Sequence, residues 1–190
     1  VHPQLDVRLT VSAATRSAAE ILGGRIDAGL LTLPVEESDL MTVPVLREEL
    51  LVVTLPTHPL ARKRRVHPED LSGQPFVHFE RGSVTRGVID SFFVTSKIEP
   101  TIVMDTENVE IIKAMVKTGL GISIVPYQAI AREVRAGQFF CARVEGYELV
   151  RETGWVYART NRVPRMIHEL QTAFDELKGR VPELYVSLKP

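Results

Sequence analysis

The distribution of apolar and polar residues between positions 105 and 126 predicts a helix followed by a strand. Val109, Ile112 and Val116 are spaced three and four residues apart, so they share one face of a helix that can pack on a sheet. Asn108 is well placed to cap this helix, because its side-chain oxygen can accept a free backbone N–H of the first turn.

The residues after this helix predict a reversal and a short buried strand. Gly119 stands where the chain must turn to end the helix. The run 122–125 is rich in β-formers, and Pro126 ends the strand because it has no N–H to donate. A helix that leads into such a strand is typical of a largely parallel, covered sheet. Ligand sites in such sheets lie at the carboxyl ends of the strands, where Pro126 and the turn 106–108 are expected.

The beginning of the chain predicts a first β-α-β unit. Apolar and polar residues alternate over 5–11, which is the period of a strand. Ser12 or Thr15 can cap the helix that follows, and the glycines at 23–24 close it. A second strand is predicted over 26–31.

The middle of the chain repeats this order. A strand at 76–79, a turn at 81–86 leading into a helix, and a strand at 101–104 form a second unit. The segment 56–75 is rich in proline and charge and marks a candidate boundary between lobes. Other predicted elements are strands at 43–46, 49–55, 139–144 and 155–158, a helix at 129–134 ended by Gly137, and a helix from Pro164 ended by Gly179.

Two such units, with the chain crossing between them near 52–58 and near 148–155, predict two lobes. A cleft between two lobes is a usual place for a small ligand.

Composition narrows the possible partners. The chain has 190 residues, 44% of them hydrophobic and 25% charged, with a net charge of −1, so no global field attracts nucleic acid or an acidic membrane. No apolar run approaches the roughly 20 residues that a membrane-spanning helix needs. Residues 1–10 do not form the basic and apolar regions of a signal peptide. The single cysteine, Cys141, excludes an intramolecular disulfide, which fits a reducing, cytoplasmic location.

The sequence gives little support to catalysis. The five histidines show no metal-ligand spacing, and no G-x-S-x-G motif is present. The pair Gly119 and Gly121 follows a helix instead of preceding one, which is the reverse of the dinucleotide fingerprint. Cys141 lies in an apolar run, as a packed thiol does. We therefore expect no catalytic residue, metal or cofactor. The basic run 62–65 is interpreted as a solvated loop and not as a contact to DNA.

Four stretches, in this order and spacing, resemble the effector-binding domain of LysR-type transcriptional regulators. They are GGRIDAGLL (23–31), LREELLVVTLPTHPLA (46–61), EDLSGQPFVHFERGS (69–83) and VEIIKAMVKTGLGISIVP (109–126).

The resemblance implies an α/β fold of the type 2 periplasmic-binding-protein kind, with two Rossmann-like lobes joined by two crossover strands. Lobe I would comprise 1–53 plus 155–190, and lobe II 54–154. In this family a strand and a helix precede the position that matches 2–3, and a winged helix-turn-helix lies further upstream; neither is part of the sequence given.

The resemblance also implies a function and partners. The domain would sense a small-molecule effector, form a homodimer or tetramer, and act on DNA only through the winged helix-turn-helix. The alternative is an extracytoplasmic solute-binding protein of the same fold. A signal peptide or a helix-turn-helix upstream would decide between the two.

The turn at 81–86 carries the most specific candidate site. Gly82, Ser83, Thr85 and Arg86 surround a predicted helix start, whose free N–H groups and partial positive charge attract a carboxylate or another anion. Ser83 can cap its own helix instead. Arg81 and Arg86 can each pair with an anionic effector through two parallel hydrogen bonds, or be only solvated at the surface.

Other candidates complete the expected cleft. By the resemblance, Ser12, Thr15 and Thr32 would face the turn 81–86 from lobe I. Asn108 lies at another helix start and can either cap or bind. Pro126 and the neighbouring Tyr127 would line the floor of the cleft, or serve only as a strand end and a packed ring.

Overall fold

The structure, a computed structural model, describes residues 7–63, 65–159 and 164–180. Its helices are α1 (Ala14–Leu22), α2 (Val84–Ser96), α3 (Val109–Lys117), α4 (Tyr127–Arg135) and α5 (Pro164–Arg180). Its strands are β1 (Ala28–Leu33), β2 (Leu40–Thr54), β3 (Pro75–Phe79), β4 (Thr101–Thr106), β5 (Ser123–Pro126), β6 (Phe140–Ala142) and β7 (Val150–Ala158). Two short 3₁₀ helices, Pro59–Arg62 and Pro68–Leu71, lie in the segment 56–75.

The main sheet has the strand order β1-β7-β2-β5, and β6 also pairs with β2. Every pairing in it is antiparallel. The prediction of a largely parallel sheet is therefore wrong for this sheet. β2 leaves one lobe and enters the other, so β5 and β6 pair with a strand that runs opposite to them. Parallel pairing occurs between β3 and β4 and at the bridge from Phe76 to Ile122.

Strand β2 joins two predicted strands into one of 15 residues. Its pairing with β7 shifts register between Pro44 and Leu46. A bulge of this kind accommodates a proline that cannot donate to the ladder. The predicted gap at 47–48 is therefore part of the strand.

Two separate hydrophobic clusters define two lobes. The larger cluster lies between positions 50 and 149 and includes the fully buried Phe76, Ile112 and Ile124. The smaller one joins α1, β1, β2 and the end of β7. In the part of the chain that the structure describes, the long strands β2 and β7 run through the passage between the lobes. The fold is thus α/β with two lobes and two crossover strands, as predicted.

The first predicted strand is wrong over the described residues. Residues 7–13 belong to no strand or helix, and Val7, Leu9 and Val11 are 69%, 88% and 95% exposed. Alternation alone does not make a strand, because a strand needs a partner for its backbone hydrogen bonds. Residues 5 and 6 lie outside the described part of the chain.

The caps agree with expectation in two helices and differ in two. Ser83 caps α2 and Asn108 caps α3, each by accepting a backbone N–H. Helix α1 has Ala13 at its N-cap and no side-chain cap, so the capping role expected of residue 12 or 15 is wrong. Helix α5 continues to Arg180 instead of ending at Gly179.

Strand boundaries shift by a few residues elsewhere. β1 lies two residues later than the predicted strand 26–31, and β6 is shorter than 139–144. β7 begins at Val150, five residues before the predicted start at Trp155. These five residues bring Arg151 into the sheet. None of the helices α1 to α5, as described, is both long and apolar enough to cross a membrane.

Candidate functional site

A cleft of about 420 Å³ lies between the two lobes. The end of β1 and the residues after it form one wall, and the first turns of α2 form the other; the start of β7 closes it. Its volume is in the range that small-molecule sites occupy. The lining residues are Leu33, Pro34, Val35, Thr42, Pro44, Val84, Val88, Val150, Arg151 and Glu152.

Arg151 connects the lobes at this cleft. Its Nη1 donates to Oγ1 of Thr85, at the start of α2, over 2.8 Å. Its Nε donates to Oε2 of Glu48, on β2, over 2.8 Å. The hydroxyl of Thr153 donates to the same oxygen over 2.8 Å. A single guanidinium thus links a helix of one lobe to both crossover strands.

Strand register explains why these side chains meet. Glu48 lies directly opposite Arg151 in the β2–β7 pair, and directly opposed residues place their side chains on the same face. Thr153 lies opposite Thr32 in the β1–β7 pair and two residues from Arg151, on the same face. The register therefore aligns a row of polar side chains from β1 to the start of α2.

The charges in this row are compensated. The side chains of Glu48 and Arg151 are only 10% and 19% exposed. A buried carboxylate is strongly disfavoured unless it is paired and hydrogen-bonded. Glu48 meets this condition through Arg151 and Thr153.

The candidate residues of the turn 81–86 differ in burial and in hydrogen-bond partners. Thr85 is 3% exposed and bonded to Arg151. Ser83 is half-buried, and its hydroxyl accepts from the backbone of Arg86 over 3.1 Å. Gly82 is exposed with φ +87°, a conformation that favours glycine. Of these, Thr85 has a side-chain contact with a residue that lines the cleft.

Arg86 is engaged within lobe II. It donates to the carbonyl of Phe79 over 2.8 Å, and it pairs with Asp90 at 3.1 Å and Asp105 at 3.3 Å. Its side chain is 12% exposed. These bonds tie α2 to β3 and β4, which gives Arg86 a structural role in the described part of the chain.

A fully buried histidine adjoins this arginine. Nδ1 of His78 accepts from the backbone of Phe79 over 2.9 Å, so the proton is on Nε2, which lies 3.0 Å from Asp90. Burial lowers the pKa of His78, and the hydrogen bond that its Nε2 donates to Asp90 opposes this effect only partly. The ring is therefore neutral at physiological pH.

The three candidate residues of lobe I lie before α1, on α1 and in β1. The hydroxyl of Ser12 lies 2.8 Å from that of Ser17, which anchors it to α1. Thr15 is exposed on α1, and Thr32 is half-buried in β1, next to the cleft residue Leu33.

The remaining candidates do not line the cleft. Asn108 is exposed and accepts from the backbone of Glu110 over 2.9 Å. Pro126 is buried at the end of β5, opposite Leu50. Tyr127 is 7% exposed, and Arg81 is exposed. Their roles in binding stay predictions.

Sequence reasoning did not identify Glu48, Arg151 or Thr153. A partial signal was present for Glu48, although it does not say which residue is its partner. Glu48 and Glu49 together precede the uninterrupted apolar run 50–53 in one of the stretches that carry the family resemblance. A charged residue at a position that faces a sheet's interior calls for a partner. Arg151 is the second residue of β7, a strand that was predicted too short.

A second cavity, of about 410 Å³, contains Arg47, Glu49, Arg143 and Glu148. Glu49 follows Glu48, so the two side chains point to opposite faces of β2. Nη2 of Arg143 donates to Glu49 over 2.9 Å, and Arg47 pairs with Glu148 at 3.2 Å. The charged side chains that line this rear cavity are thus paired with one another.

Two residues of the basic run 62–65 form ion pairs, and Cys141 is buried. Lys63 pairs with Asp70, and Arg65 pairs with Glu145. Arg64 lies outside the described residues. Burial, followed by the nearby charge of Glu49, raises the pKa of Cys141 to about 11.

Two α/β lobes, two crossover strands and a cleft between them define a ligand-binding domain of the type 2 periplasmic-binding-protein class. The family described as "LysR substrate binding domain" matches residues 1–178. The chain belongs to this family.

Individual relatives agree with this assignment. The chain is 34% identical over 136 residues to the Escherichia coli K12 protein "Uncharacterized HTH-type transcriptional regulator YeiE". This alignment covers 72% of this chain and 46% of that protein. It is 29% identical over 167 residues to the "Probable RuBisCO transcriptional regulator" of Trichormus variabilis, and that alignment covers 85% of this chain and 49% of that protein. The chain thus spans about half the length of these relatives. Both are described as transcriptional regulators, which favours the regulator over the solute-binding alternative.

A solved structure supports the fold. The regulatory domain of CcmR from Synechocystis PCC6803, solved in complex with 2-PG, aligns with a TM-score of 0.81 at 22% identity, covering 97% of this chain and 88% of that one.

Proposed function

We propose that this chain is the effector-sensing domain of a LysR-type transcriptional regulator and that it binds a small molecule in the cleft between its lobes. The observation that carries the proposal is the position of Arg151, which lines the cleft and bonds to both Thr85 and Glu48. Because these partners lie on α2 and on a crossover strand, a ligand that contacts Arg151 changes how the two lobes are held. The CcmR domain, solved with 2-PG, is a precedent for a ligand on this fold.

The proposed action is a shift in population and includes no chemical step. An effector that binds one lobe arrangement more tightly than another moves the equilibrium toward it. In a homodimer or tetramer, this shift alters the spacing of the DNA-binding regions, through which the regulator reaches DNA in the cytoplasm. The effector is proposed to be a carboxylate or another anion, since Arg151 is the cation in the cleft wall.

We assign residues 1–53 and 155–190 to lobe I and 54–154 to lobe II. For the dimer, we propose that α1 of one subunit packs against a lobe II helix of its partner. Leu22 on α1 is 41% exposed and Ile111 on α3 is 40% exposed, which provides apolar surface on both helices. Sedimentation that shows only monomer at micromolar concentration would exclude this dimer for the present chain.

The experiment for effector binding is a thermal-shift screen of organic acids, sugars and nucleotides, followed by titration calorimetry of each hit. Thr85→Ala should weaken binding by about 1 kcal/mol or more, because the hydroxyl holds the arginine that meets the ligand. The matched control is Thr95→Ala, on the exposed side of the same helix, where the hydroxyl bonds only to the carbonyl of Ser91. Equal affinities in both variants would remove Thr85 from the site. A screen without any hit would contradict the proposed function.

A further inference from the structure

The inter-lobe cleft is mostly apolar. Seven of its ten lining residues are aliphatic or proline, and they include Leu33, Val84 and Val88 on its two walls. A ligand that is polar all over, such as a sugar, needs a protein partner for each polar group that leaves water. The polar lining residues are Thr42, Arg151 and Glu152, too few for a ligand that is polar all over.

The charge in and behind the lining is one positive and two negative. Arg151 is the cation, Glu152 shares the lining with it, and Glu48 contacts its guanidinium from behind. A ligand with one negative charge gains its interaction with Arg151. A ligand with two or three charges gains little more and is repelled by both carboxylates.

Arg151 retains donors for a ligand. Its Nε bonds to Glu48 and its Nη1 to Thr85, while Nη2 makes no hydrogen bond within the described part of the chain. A guanidinium has five N–H donors in a fixed plane, so one carboxylate oxygen can bind at Nη2 while both existing bonds persist.

We propose that the effector is a monocarboxylate with an apolar aliphatic or aromatic body. Its carboxylate pairs with Arg151, and its body lies between Leu33 on one wall and Val84 and Val88 on the other. This inference rests on the proposed function and names the chemical class that its cleft selects.

The first test compares matched ligands on the unaltered chain by titration calorimetry. Phenylacetate and 3-methylbutanoate are compared with phenylacetamide and 3-methylbutanamide, which keep the body and lose the charge, and with citrate and phosphate. At least one acid should bind about tenfold or more tightly than its amide, since a hydrogen bond to a charged group is lost. Amides that bind as well as the acids, tighter binding of citrate or phosphate, or no binding by either acid would overturn the proposal.

The second test changes the charge of the site. Glu48→Gln keeps an acceptor for Thr153 and removes a negative charge beside Arg151, so phenylacetate should bind more tightly, by severalfold. The double variant Glu48→Gln with Arg151→Gln keeps the charge sum and removes the cation, so the preference of acid over amide should disappear. Arg47→Gln, at the rear cavity, is the control and should leave the preference unchanged. Melting curves verify that each variant is folded. A preference that survives in the double variant would overturn the proposal.

Failure of this inference can be separated from failure of the proposed function. If the broad screen finds only polyanions or sugars that bind in a Thr85-dependent manner, the chain is still a sensor and the monocarboxylate class is wrong. If the screen finds nothing, both are wrong.

Discussion

Nε of Arg151 lies 2.8 Å from Oε2 of Glu48, and the two residues stand directly opposite each other on the two crossover strands. Because both side chains are largely buried, each charge depends on the other. The pair lies at the passage between the lobes, and Arg151 also lines the cleft. A change that breaks the pair therefore affects both the stability of the fold and the cleft.

The first prediction concerns the stability that this pair provides. Arg151→Gln should lower the free energy of unfolding by about 3 kcal/mol, because it leaves Glu48 as a buried, uncompensated charge. Adding Glu48→Gln should restore part of the loss. Urea denaturation of the two single variants and the double variant measures the coupling. Strictly additive effects would show that the two charges do not depend on each other.

The second prediction concerns two glycines. A Cβ at Gly121 would lie 2.5 Å from the carbonyl oxygen of Pro75, which is backbone and cannot move aside cheaply. Gly121→Ala should therefore destabilise the chain by about 1–3 kcal/mol. Gly87 lies in α2, and a Cβ there meets nothing within 4 Å. Gly87→Ala should be neutral or stabilising by up to about 1 kcal/mol, because alanine favours a helix. Melting temperatures that fall equally in both variants would contradict this difference.

The third prediction concerns the thiol of Cys141, whose pKa burial raises to about 11. The reactive species is the thiolate, which is scarce at pH 8 in the folded chain. A disulfide reagent such as Ellman's reagent should modify the native protein very slowly and the urea-unfolded protein at once. Rapid stoichiometric labelling of the native protein would show that the thiol is accessible.

The fourth prediction concerns pH. The pKa of His78 is lowered by burial from its ordinary value of 6.5, so the unfolded chain binds a proton there more readily than the folded chain does. Stability from this residue is complete above pH 6.5 and is lost as the pH falls through the lowered pKa. His78→Gln should reduce the slope of unfolding free energy against pH between pH 5 and 6.5.

This pH measurement needs a reference, since the pKa of His58 is also lowered by burial. The variant His58→Gln should keep most of the slope, because its ring is only partly buried, whereas His78 is fully buried. An unchanged slope in His78→Gln would show that this histidine does not couple folding to protons.

The sequence was sufficient for the two-lobe organisation and for local features that depend on neighbouring residues. The caps at Ser83 and Asn108 and the turn at Gly119 follow from local chemistry, and the structure confirms them. The two β-α-β units predicted two crossings between the lobes, near 52–58 and near 148–155, and the family resemblance identified these crossings as strands.

The sequence was not sufficient for features that depend on distant partners. The strand expected over 5–11 has no partner over its described residues, so it does not form. The antiparallel direction of β5 is set by β2, about 70 residues earlier in the chain. The pair of Glu48 and Arg151 joins positions 103 apart, and neither residue carries a local signal for the other. Thr85 was found because it stands at a helix start, but its partner was not.

The most direct test of the account is to locate the bound effector by amide chemical-shift changes in two-dimensional NMR. A calorimetric hit from the screen is titrated into the labelled chain. The account predicts that the largest changes fall at residues 32–35, 83–88 and 150–153, around Arg151. Changes concentrated at Arg47 and Arg143, in the rear cavity, or no saturable changes at all, would contradict a sensor that reads its ligand in the cleft between the lobes.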